Sequence, residues 1–155
     1  MNTHFLDPGE LRDGDLELVC TLRGEADDEK GFVPWYEFSM RRLPDDENVG
    51  LITLRLGATP HLVLYGGQMG YKVERAFRGH RYAARSIRLL LPLAKKHGLN
   101  PLWITCSPDN IASRRSCELA GGVLQEVREL APDTDLYARG ERWVCRYRFD
   151  IGSQA

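Results

Sequence analysis

Residues 73–83 constrain the fold of this chain more than any other stretch, and they read Val-Glu-Arg-Ala-Phe-Arg-Gly-His-Arg-Tyr-Ala. The pattern predicts a strand that runs into a turn, where arginines flank a single glycine, and then into a helix. A helix that begins here directs unpaired backbone N–H groups at the turn, and such groups bind anions. The dinucleotide fingerprint and the P-loop both require further residues that are missing here. The sequence therefore predicts an anion site, most simply for phosphate.

The size and charge of the chain limit what can surround this turn. With 155 residues, 43% of them apolar and 28% charged, the chain has the composition of a globular protein with its own core. We therefore expect one domain over residues 1–155. The formal net charge of -1 exerts no general attraction on nucleic acid or on anionic membranes, so anion binding must come from a local arrangement.

The cysteines and the apolar segments indicate the compartment. The four cysteines lie far apart, without a Cys-x-x-Cys pair or a histidine cluster, so we predict no metal site. A chain with its own core does not need disulfides, and reduced thiols predict a cytoplasmic protein. The first residues lack the regions of a signal peptide, and no apolar stretch reaches membrane-spanning length.

The first half of the chain predicts an antiparallel sheet. Residues 1–15 are rich in Asp, Glu and Gly and are predicted as an irregular lead-in. Three later segments alternate in hydrophobicity and are predicted as strands: residues 16–22, 35–43 and 48–56. The turn at residues 44–46 joins the last two as an antiparallel hairpin, and residues 23–34 form a loop with at most one short helix. Residues 62–65 are expected to extend the sheet.

The second half of the chain predicts alternating strands and helices. Helices are expected at residues 81–97, with a kink at Pro92 and an end at Gly98, and at residues 111–119. Four strands are expected, at residues 68–73, 102–106, 123–130 and 142–151. The two strands that flank the first helix would form a parallel pair, as a crossover of this length permits, and the last two strands an antiparallel pair.

Two segments of this second half together resemble the acetyl-CoA-binding half of the GNAT N-acetyltransferase superfamily. Residues 76–81, Ala-Phe-Arg-Gly-His-Arg, are similar to the family's turn, Gln/Arg-x-x-Gly-x-Gly/Ala. Residues 104–106, Ile-Thr-Cys, and 108–113, Pro-Asp-Asn-Ile-Ala-Ser, are followed by the Gly-Gly pair at 121–122, and they resemble the second half of the family's site. The resemblance implies a mixed α/β domain, with a mostly antiparallel twisted sheet, a central parallel β-α-β pair and flanking helices.

The resemblance also implies acetyl-CoA as the acyl donor. Three residues of the strand before the turn would contact its pantetheine arm: Tyr71, Lys72 and Val73. Six residues of the turn and the helix start would hold its pyrophosphate: Arg78, Gly79, His80, Arg81, Tyr82 and Ala83. Asn110 and Ser113 complete the set. Asn110 would hydrogen-bond the cofactor arm, and either Asp109 or Asn110 would cap the second helix.

Two positions of the turn depart from the family pattern. Ala76 stands where Gln or Arg is common, and Arg81 stands where Gly or Ala is common. Because arginine needs more room than glycine, we expect Arg81 to point outward. There it would either meet a phosphate or be a solvated residue at the helix start.

The catalytic groups are less defined. Members of this superfamily often protonate the leaving thiolate with a tyrosine four residues before the closing glycine, and Cys117 stands at that place. Cys117 is therefore our candidate catalytic acid, with a second interpretation as a small apolar residue of the core. The strand before the turn offers Gln68, which cannot take up a proton. The nearest candidates for a general base by position are Glu37, His61 and Tyr65, with water-mediated deprotonation as the alternative, and none of them is assigned.

Two functions agree with these residues. The first is an acetyl-CoA-dependent N-acetyltransferase whose acceptor is a primary amine of an unidentified small molecule, peptide or protein. The second is a non-catalytic acyl-CoA-binding sensor or interaction domain of the same fold. Family members usually place helices over the acceptor site where this chain has only the loop at residues 23–34, so we expect an open acceptor cleft.

Single sequence features bear on three other kinds of partner. Four arginines, Arg78, Arg81, Arg85 and Arg88, would be the basis of a nucleic-acid patch, but the balanced charge and the lack of interleaved exposed aromatics argue against one. No membrane partner is predicted. The last strand carries Trp143, Tyr147 and Phe149, which would supply either a homodimer surface or part of the core.

Overall fold

The computed structural model describes residues 5–152, which form two antiparallel sheets and three α-helices. The first sheet has five strands in the order β1-β2-β3-β4-β5: Leu11–Asp13, Leu16–Gly24, Trp35–Arg42, Glu47–Arg55 and Met69–Val73. The second sheet has the order β6-β8-β7, and its strands along the chain are Leu102–Cys106 (β6), Val123–Glu129 (β7) and Trp143–Phe149 (β8). The helices are Tyr82–Lys96 (α1), Ile111–Leu119 (α2) and Asp135–Ala138 (α3).

The first sheet buries one of its two faces. Phe38 of β3 and Ile52 of β4 are register partners and are both fully buried, because side chains on a strand alternate between the faces. Leu51, the next residue along β4, is 40% exposed on the other face. The predicted antiparallel hairpin of β3 and β4 is confirmed.

Helix α1 packs against the buried face of this sheet. Its fully buried residues include Ile87, Leu90 and Ala94. The helix is continuous through Pro92 and ends as predicted at Gly98, whose φ is 78°. The Gly98 N–H donates to the Lys95 carbonyl (2.9 Å) and the Leu99 N–H to the Ala94 carbonyl (3.0 Å), which together form a Schellman motif.

The lead-in is more ordered than the sequence predicts. Residues 1–4 of the predicted segment lie outside the described part of the chain, and Leu11–Asp13 is not irregular but pairs antiparallel with β2. The pairing places Leu11, which is 9% exposed, in the hydrophobic core. A strand of only three residues has too short a pattern to be recognised in a stretch rich in Asp and Gly.

The expectation that residues 62–65 extend the sheet is wrong. Leu62–Gly66 forms a π-helical turn, closed by a hydrogen bond from the Gly67 N–H to the Leu62 carbonyl (2.7 Å). Side chains of the second sheet bond to this turn: the Thr105 hydroxyl donates to the Tyr65 carbonyl at 2.7 Å. This apolar segment is long enough for a strand, but tertiary contacts hold it in a turn. Such contacts cannot be predicted from the local sequence pattern.

The predicted parallel pair is reduced to a single contact point, because β5 and β6 belong to different sheets. The Gln68 N–H donates to the Trp103 carbonyl (2.7 Å), and the Trp103 N–H donates to the Gln68 side-chain oxygen (2.8 Å). The Gln68 amide nitrogen donates to the Gly57 carbonyl (2.8 Å), and the residue is only 1% exposed. The two strands start side by side at Gln68 and do not continue as a ladder.

The last strand supplies core rather than a dimer surface. Tyr147 is fully buried and Phe149 is 2% exposed, so neither side chain can meet a second copy of the chain. Trp143, at the start of the strand, is 50% exposed. The dimer interpretation is therefore wrong for two of its three aromatic residues.

One pH dependence follows from the end of α1. The His97 Nε2 and the Tyr36 hydroxyl are 2.8 Å apart, and burial lowers the pKa of His97. In the unfolded chain the imidazole titrates near its ordinary pKa of about 6.5. The free energy of unfolding is therefore expected to be highest above about pH 6.5 and to fall as the pH decreases, because the unfolded state gains a proton first.

Urea unfolding between pH 7.5 and 5.5 measures this slope. His97→Gln, which cannot titrate, is expected to flatten the curve in this interval. An equal slope in the variant and the wild type would contradict the assignment to His97.

Candidate functional site

Beyond Gln68, β5 and β6 share no backbone hydrogen bond among the described residues, and we call the space between these two strand edges the cleft. β5 is the last strand of the first sheet and β6 the first strand of the second, so each presents an edge without a strand partner in the described part of the chain. On its other side β5 pairs with β4 from Met69 to Val73. The predicted pantetheine residues Tyr71, Lys72 and Val73 all lie on this free edge, where an extended ligand can pair with the backbone.

The turn between β5 and α1 is an open cradle of backbone donors. Gly79 has a φ of 100°, a conformation that favours glycine, and nothing lies within 4 Å of the place of an added Cβ. Arg81 is the N-cap residue of α1, yet no side chain caps the helix and its first turn carries no acidic residue. The first backbone bond of the helix joins the Arg85 N–H to the Arg81 carbonyl at 3.0 Å, so the N–H groups of residues 82–84 remain free for a ligand.

The predicted pyrophosphate residues lie around this cradle. Tyr82 and Ala83 are 2% and 8% exposed, so they offer backbone N–H groups rather than side chains. His80 is exposed, and its ring centroid is 5.3 Å from that of Tyr82. Arg81 is exposed at the helix start. The cradle thus presents uncapped amides and a guanidinium, which are the groups that a diphosphate requires.

The arginines do not form a free basic surface. Three of the four bond to the protein: Arg78 to the Val73 carbonyl, Arg85 to the carboxylates of Asp13 and Asp15, and Arg88 to the Leu119 carbonyl. Arg85 also lowers the pKa of Asp15 through a hydrogen bond between the two side chains. Arg81 alone among the four has no such bond in the described residues, so its guanidinium is available to a ligand in the cradle.

Helix α2 borders the cleft on its other side. Of the two predicted caps, Asn110 is the one used, because its side-chain oxygen accepts from the Ser113 N–H at 3.1 Å. The Ser113 hydroxyl lies 2.8 Å from the Tyr71 hydroxyl, and the Cys117 sulfur lies 3.5 Å from it. Tyr71 therefore reaches from β5 to α2, and its hydroxyl lies where the two elements come together.

Cys117 is a core residue by its surroundings. Its side chain is fully buried, and burial raises the pKa of the Cys117 thiol to about 12. Desolvation likewise raises the pKa of Tyr71, so the phenol keeps its proton over the whole physiological range. The placement of Cys117 agrees with its interpretation as an apolar filler, and a catalytic role for it stays a prediction.

Two residues of the site were not among the predicted ones. Gln68 joins the sheets at the top of the cleft, as described above. Arg55, at the end of β4, donates from Nη1 to the carbonyls of Gly67 (2.9 Å) and Gly66 (3.3 Å). The only sequence signal for such residues is a polar amide or guanidinium within an apolar strand. This signal does not identify their hydrogen-bond partners.

Within residues 5–152, no three side chains of His, Cys, Asp or Glu are grouped to hold a metal ion. In the same part of the chain, no helix combines the length and the apolar character needed to cross a membrane.

Diverging strands that leave a cleft beside an uncapped helix start define an α/β fold built to bind a phosphate-bearing cofactor. The family model for the acetyltransferase (GNAT) domain matches residues 8–123. The chain therefore belongs to the GNAT acetyltransferase family. A comparison with curated proteins found no match.

Solved structures share the fold at low sequence identity. An acetyltransferase of the GNAT family from Bacillus anthracis is 19% identical, with a TM-score of 0.58, 74% of this chain and 66% of the other being covered. The microcin C7 self-immunity acetyltransferase MccE, in complex with acetyl-CoA and AMP, is 16% identical, with a TM-score of 0.56 and coverages of 75% and 61%. The chain thus spans about two thirds of the length of these two proteins.

A third structure matches over nearly its whole length. It is the ribosomal L7/L12 alpha-N-protein acetyltransferase RimL in complex with coenzyme A. It is 14% identical, with a TM-score of 0.66, and the match covers 94% of this chain and 99% of that one. At such identities the likeness concerns the fold alone.

Arg81 yields a prediction that separates stability from binding. It is a non-glycine residue at φ 60° and ψ 28°, in the left-handed region, which costs about 1 kcal/mol. Arg81→Gly is therefore expected to raise the free energy of unfolding by about 1 kcal/mol and to weaken CoA binding, since the guanidinium is lost. Urea unfolding and calorimetric titration with CoA measure the two effects.

Arg81→Lys is the matched control for this substitution. It keeps both the charge and the strained conformation, so its stability should equal that of the wild type, with most of the affinity retained. A glycine variant that is less stable, or that binds CoA as tightly as the wild type, would refute the assignment.

Proposed function

We propose that this protein is an acetyl-CoA-dependent N-acetyltransferase that acetylates a primary amine. The observation that carries the proposal is the coincidence of the free edge of β5 with the uncapped start of α1. The strand edge can pair with the pantetheine arm, and the helix start can hold the pyrophosphate. Membership of the GNAT acetyltransferase family supports this assignment.

The residues of the cleft fit acetyl-CoA as donor. When bound, the donor supplies a thioester whose carbonyl carbon accepts the amine and whose sulfur departs as a thiolate. Tyr71, Lys72 and Val73 would contact its arm, and residues 78–83 would hold its diphosphate. The side-chain oxygen of Asn110 accepts the capping hydrogen bond of α2, so its amide N–H groups remain available to the pantetheine arm.

Tyr71 is the proton donor that the site offers to the thiolate. Its phenol retains a proton because desolvation raises its pKa, and its hydroxyl lies between Ser113 and Cys117 on α2. The superfamily's usual tyrosine would stand on α2 at the position of Cys117. Here a phenol reaches the same place from β5, and the Ser113 hydroxyl holds it there.

The acceptor is an amine of unassigned identity. RimL is described as acetylating a ribosomal protein at its amino terminus. The acceptor side of this chain is open, because residues 25–34 link β2 and β3 without a helix. We place the protein in the cytoplasm and treat residues 1–155 as one domain, in keeping with its four free thiols and its single core cluster.

The affinity for CoA tests the cradle. Gly79→Glu is expected to weaken CoA binding by at least about tenfold, because a carboxylate would face the pyrophosphate and the backbone at φ 100° would be strained. Calorimetric titration measures the affinity, and circular dichroism verifies the fold. Equal binding by the variant and the wild type would refute the cradle.

Thiol release from acetyl-CoA with a panel of amines tests turnover and the role of Tyr71. Tyr71→Phe removes the proton donor, and kcat is expected to fall by about 100-fold, the usual scale for general acid catalysis, with CoA affinity retained. Cys117→Ala is the comparison, and it should keep kcat if Tyr71 is the acid. Full turnover by Tyr71→Phe would exclude Tyr71 as the acid. A collapse of kcat in Cys117→Ala alone would return the role to Cys117.

Binding without turnover is the second candidate function. The burial of the site favours it, since desolvation raises the pKa of both the Cys117 thiol and the Tyr71 phenol and makes each a weaker acid. A protein that binds CoA but releases no thiol across a broad amine panel would be an acyl-CoA sensor or interaction domain.

A further inference from the structure

The first sheet presents an uncovered face on the side opposite α1. We call it the outer face and define it by alternate residues of two strands: Trp35, Glu37 and Ser39 of β3, and Leu51, Thr53 and Arg55 of β4. Gly70 and Lys72 continue this face on β5. It borders the cleft, because β5 is the strand at the cleft edge.

Arg55 is a guanidinium on this face that pairs with no carboxylate of the described residues. Only its Nη1 is engaged, by the carbonyls of Gly66 and Gly67, which leaves Nε and Nη2 as free donors in the described part of the chain. Burial lowers the pKa of Arg55, and no neighbouring acid offsets that effect. A partly buried charge without a counter-ion is costly, so the site favours an anionic ligand.

Gly70 brings this guanidinium to the edge of the cleft. A Cβ added at Gly70 would lie 2.8 Å from the Arg55 Nη2, so the absence of a side chain there is what lets Arg55 lie across β5. Tyr71 is the next residue of the strand, and its phenol points to the opposite face, toward α2. Nη2 is therefore beside the strand that would pair with the acyl donor, on the side from which an acceptor is free to approach.

The nearest acid on the outer face leaves Arg55 available. Glu37 is the register partner of Thr53, one position diagonal from Arg55, and the two side chains form no ion pair. A depression of about 250 Å³ lies further along this face, where it is lined by Ser39 and Leu51 and not by Arg55.

We propose that Arg55 binds the carboxylate of the acceptor, and that the acceptor is a small amino carboxylate such as an amino acid. The inference rests on the proposed function and narrows its substrate class. The amine nitrogen forms a bond to the thioester carbonyl carbon while the carbon–sulfur bond breaks. The amine gives up one proton to solvent, the thiolate takes one from the Tyr71 hydroxyl, and the Tyr71 oxygen regains a proton from solvent. Arg55 acts in specificity, by a charge-assisted and potentially bidentate contact.

Calorimetric titration of the CoA-saturated protein with common amino acids and with their amides tests this contact. At least one amino acid is expected to bind about tenfold or more tightly than its amide, which lacks the negative charge. Arg55→Met should abolish that preference. Arg41→Met is the matched control, since Arg41 lies on the same face but pairs with Asp46 at 3.2 Å, and it should keep the preference.

A second variant covers a failure of Arg55→Met to fold. Gly70→Ala keeps the arginine but displaces Nη2 from its place on β5, and it too should reduce the preference for the carboxylate. Amides that bind as tightly as the acids would overturn the inference. So would a panel in which only a peptide with a free amino terminus binds, or a Gly70→Ala variant with an unchanged preference.

CoA binding and thiol release are measured separately on the wild-type protein, so that the two proposals can fail independently. A wild-type protein that does not bind CoA or does not release thiol refutes the proposed function. Equal affinities for acid and amide in a protein that does bind CoA refute only the role of Arg55.

Discussion

Gln68 is hydrogen-bonded to both sheets at the place where they meet, and the arrangement of the site depends on this residue. Its backbone N–H makes the one parallel bond, to the Trp103 carbonyl, while its side chain accepts from the Trp103 N–H and donates to a carbonyl of the loop before the π-helical turn. The Gln68 carbonyl, which could continue the ladder, accepts instead from the Arg55 N–H of β4 at 2.8 Å. Below it the strands are free to diverge, and the cleft is the space they leave.

The period of a strand then divides the chemistry between two faces of β5. Tyr71 turns inward to α2, where Ser113 holds its hydroxyl. Gly70 turns outward and accommodates the guanidinium of Arg55. One strand edge thus lies between the Tyr71 hydroxyl on one face and the Arg55 guanidinium on the other, and in the proposed function the donor arm would run along that edge. Consecutive residues face opposite sides of the strand because successive Cβ positions point to opposite faces.

Sequence reasoning succeeded where local chemistry decides the structure. The turn at Gly79, the start of α1, the Asn110 cap and the Gly98 stop each depend on a few consecutive residues and their backbone preferences. It failed where distant groups decide. Residues 62–65 have a strand's composition, yet Thr105 hydrogen-bonds them as a turn. The parallel pair stops after one backbone bond, because the Gln68 carbonyl accepts from β4 instead of β6.

The sequence by itself therefore determined the cofactor half of this protein: an anion cradle before a helix, a second capped helix and the family to which they belong. Only the tertiary structure decided how the reacting groups are distributed. It buried Cys117, brought the Tyr71 hydroxyl beside it from another element, and left Arg55 without a carboxylate partner among residues 5–152. Helix caps are local, because they depend on adjacent residues. Burial and charge pairing join residues far apart in the chain, and they exist only once it has folded.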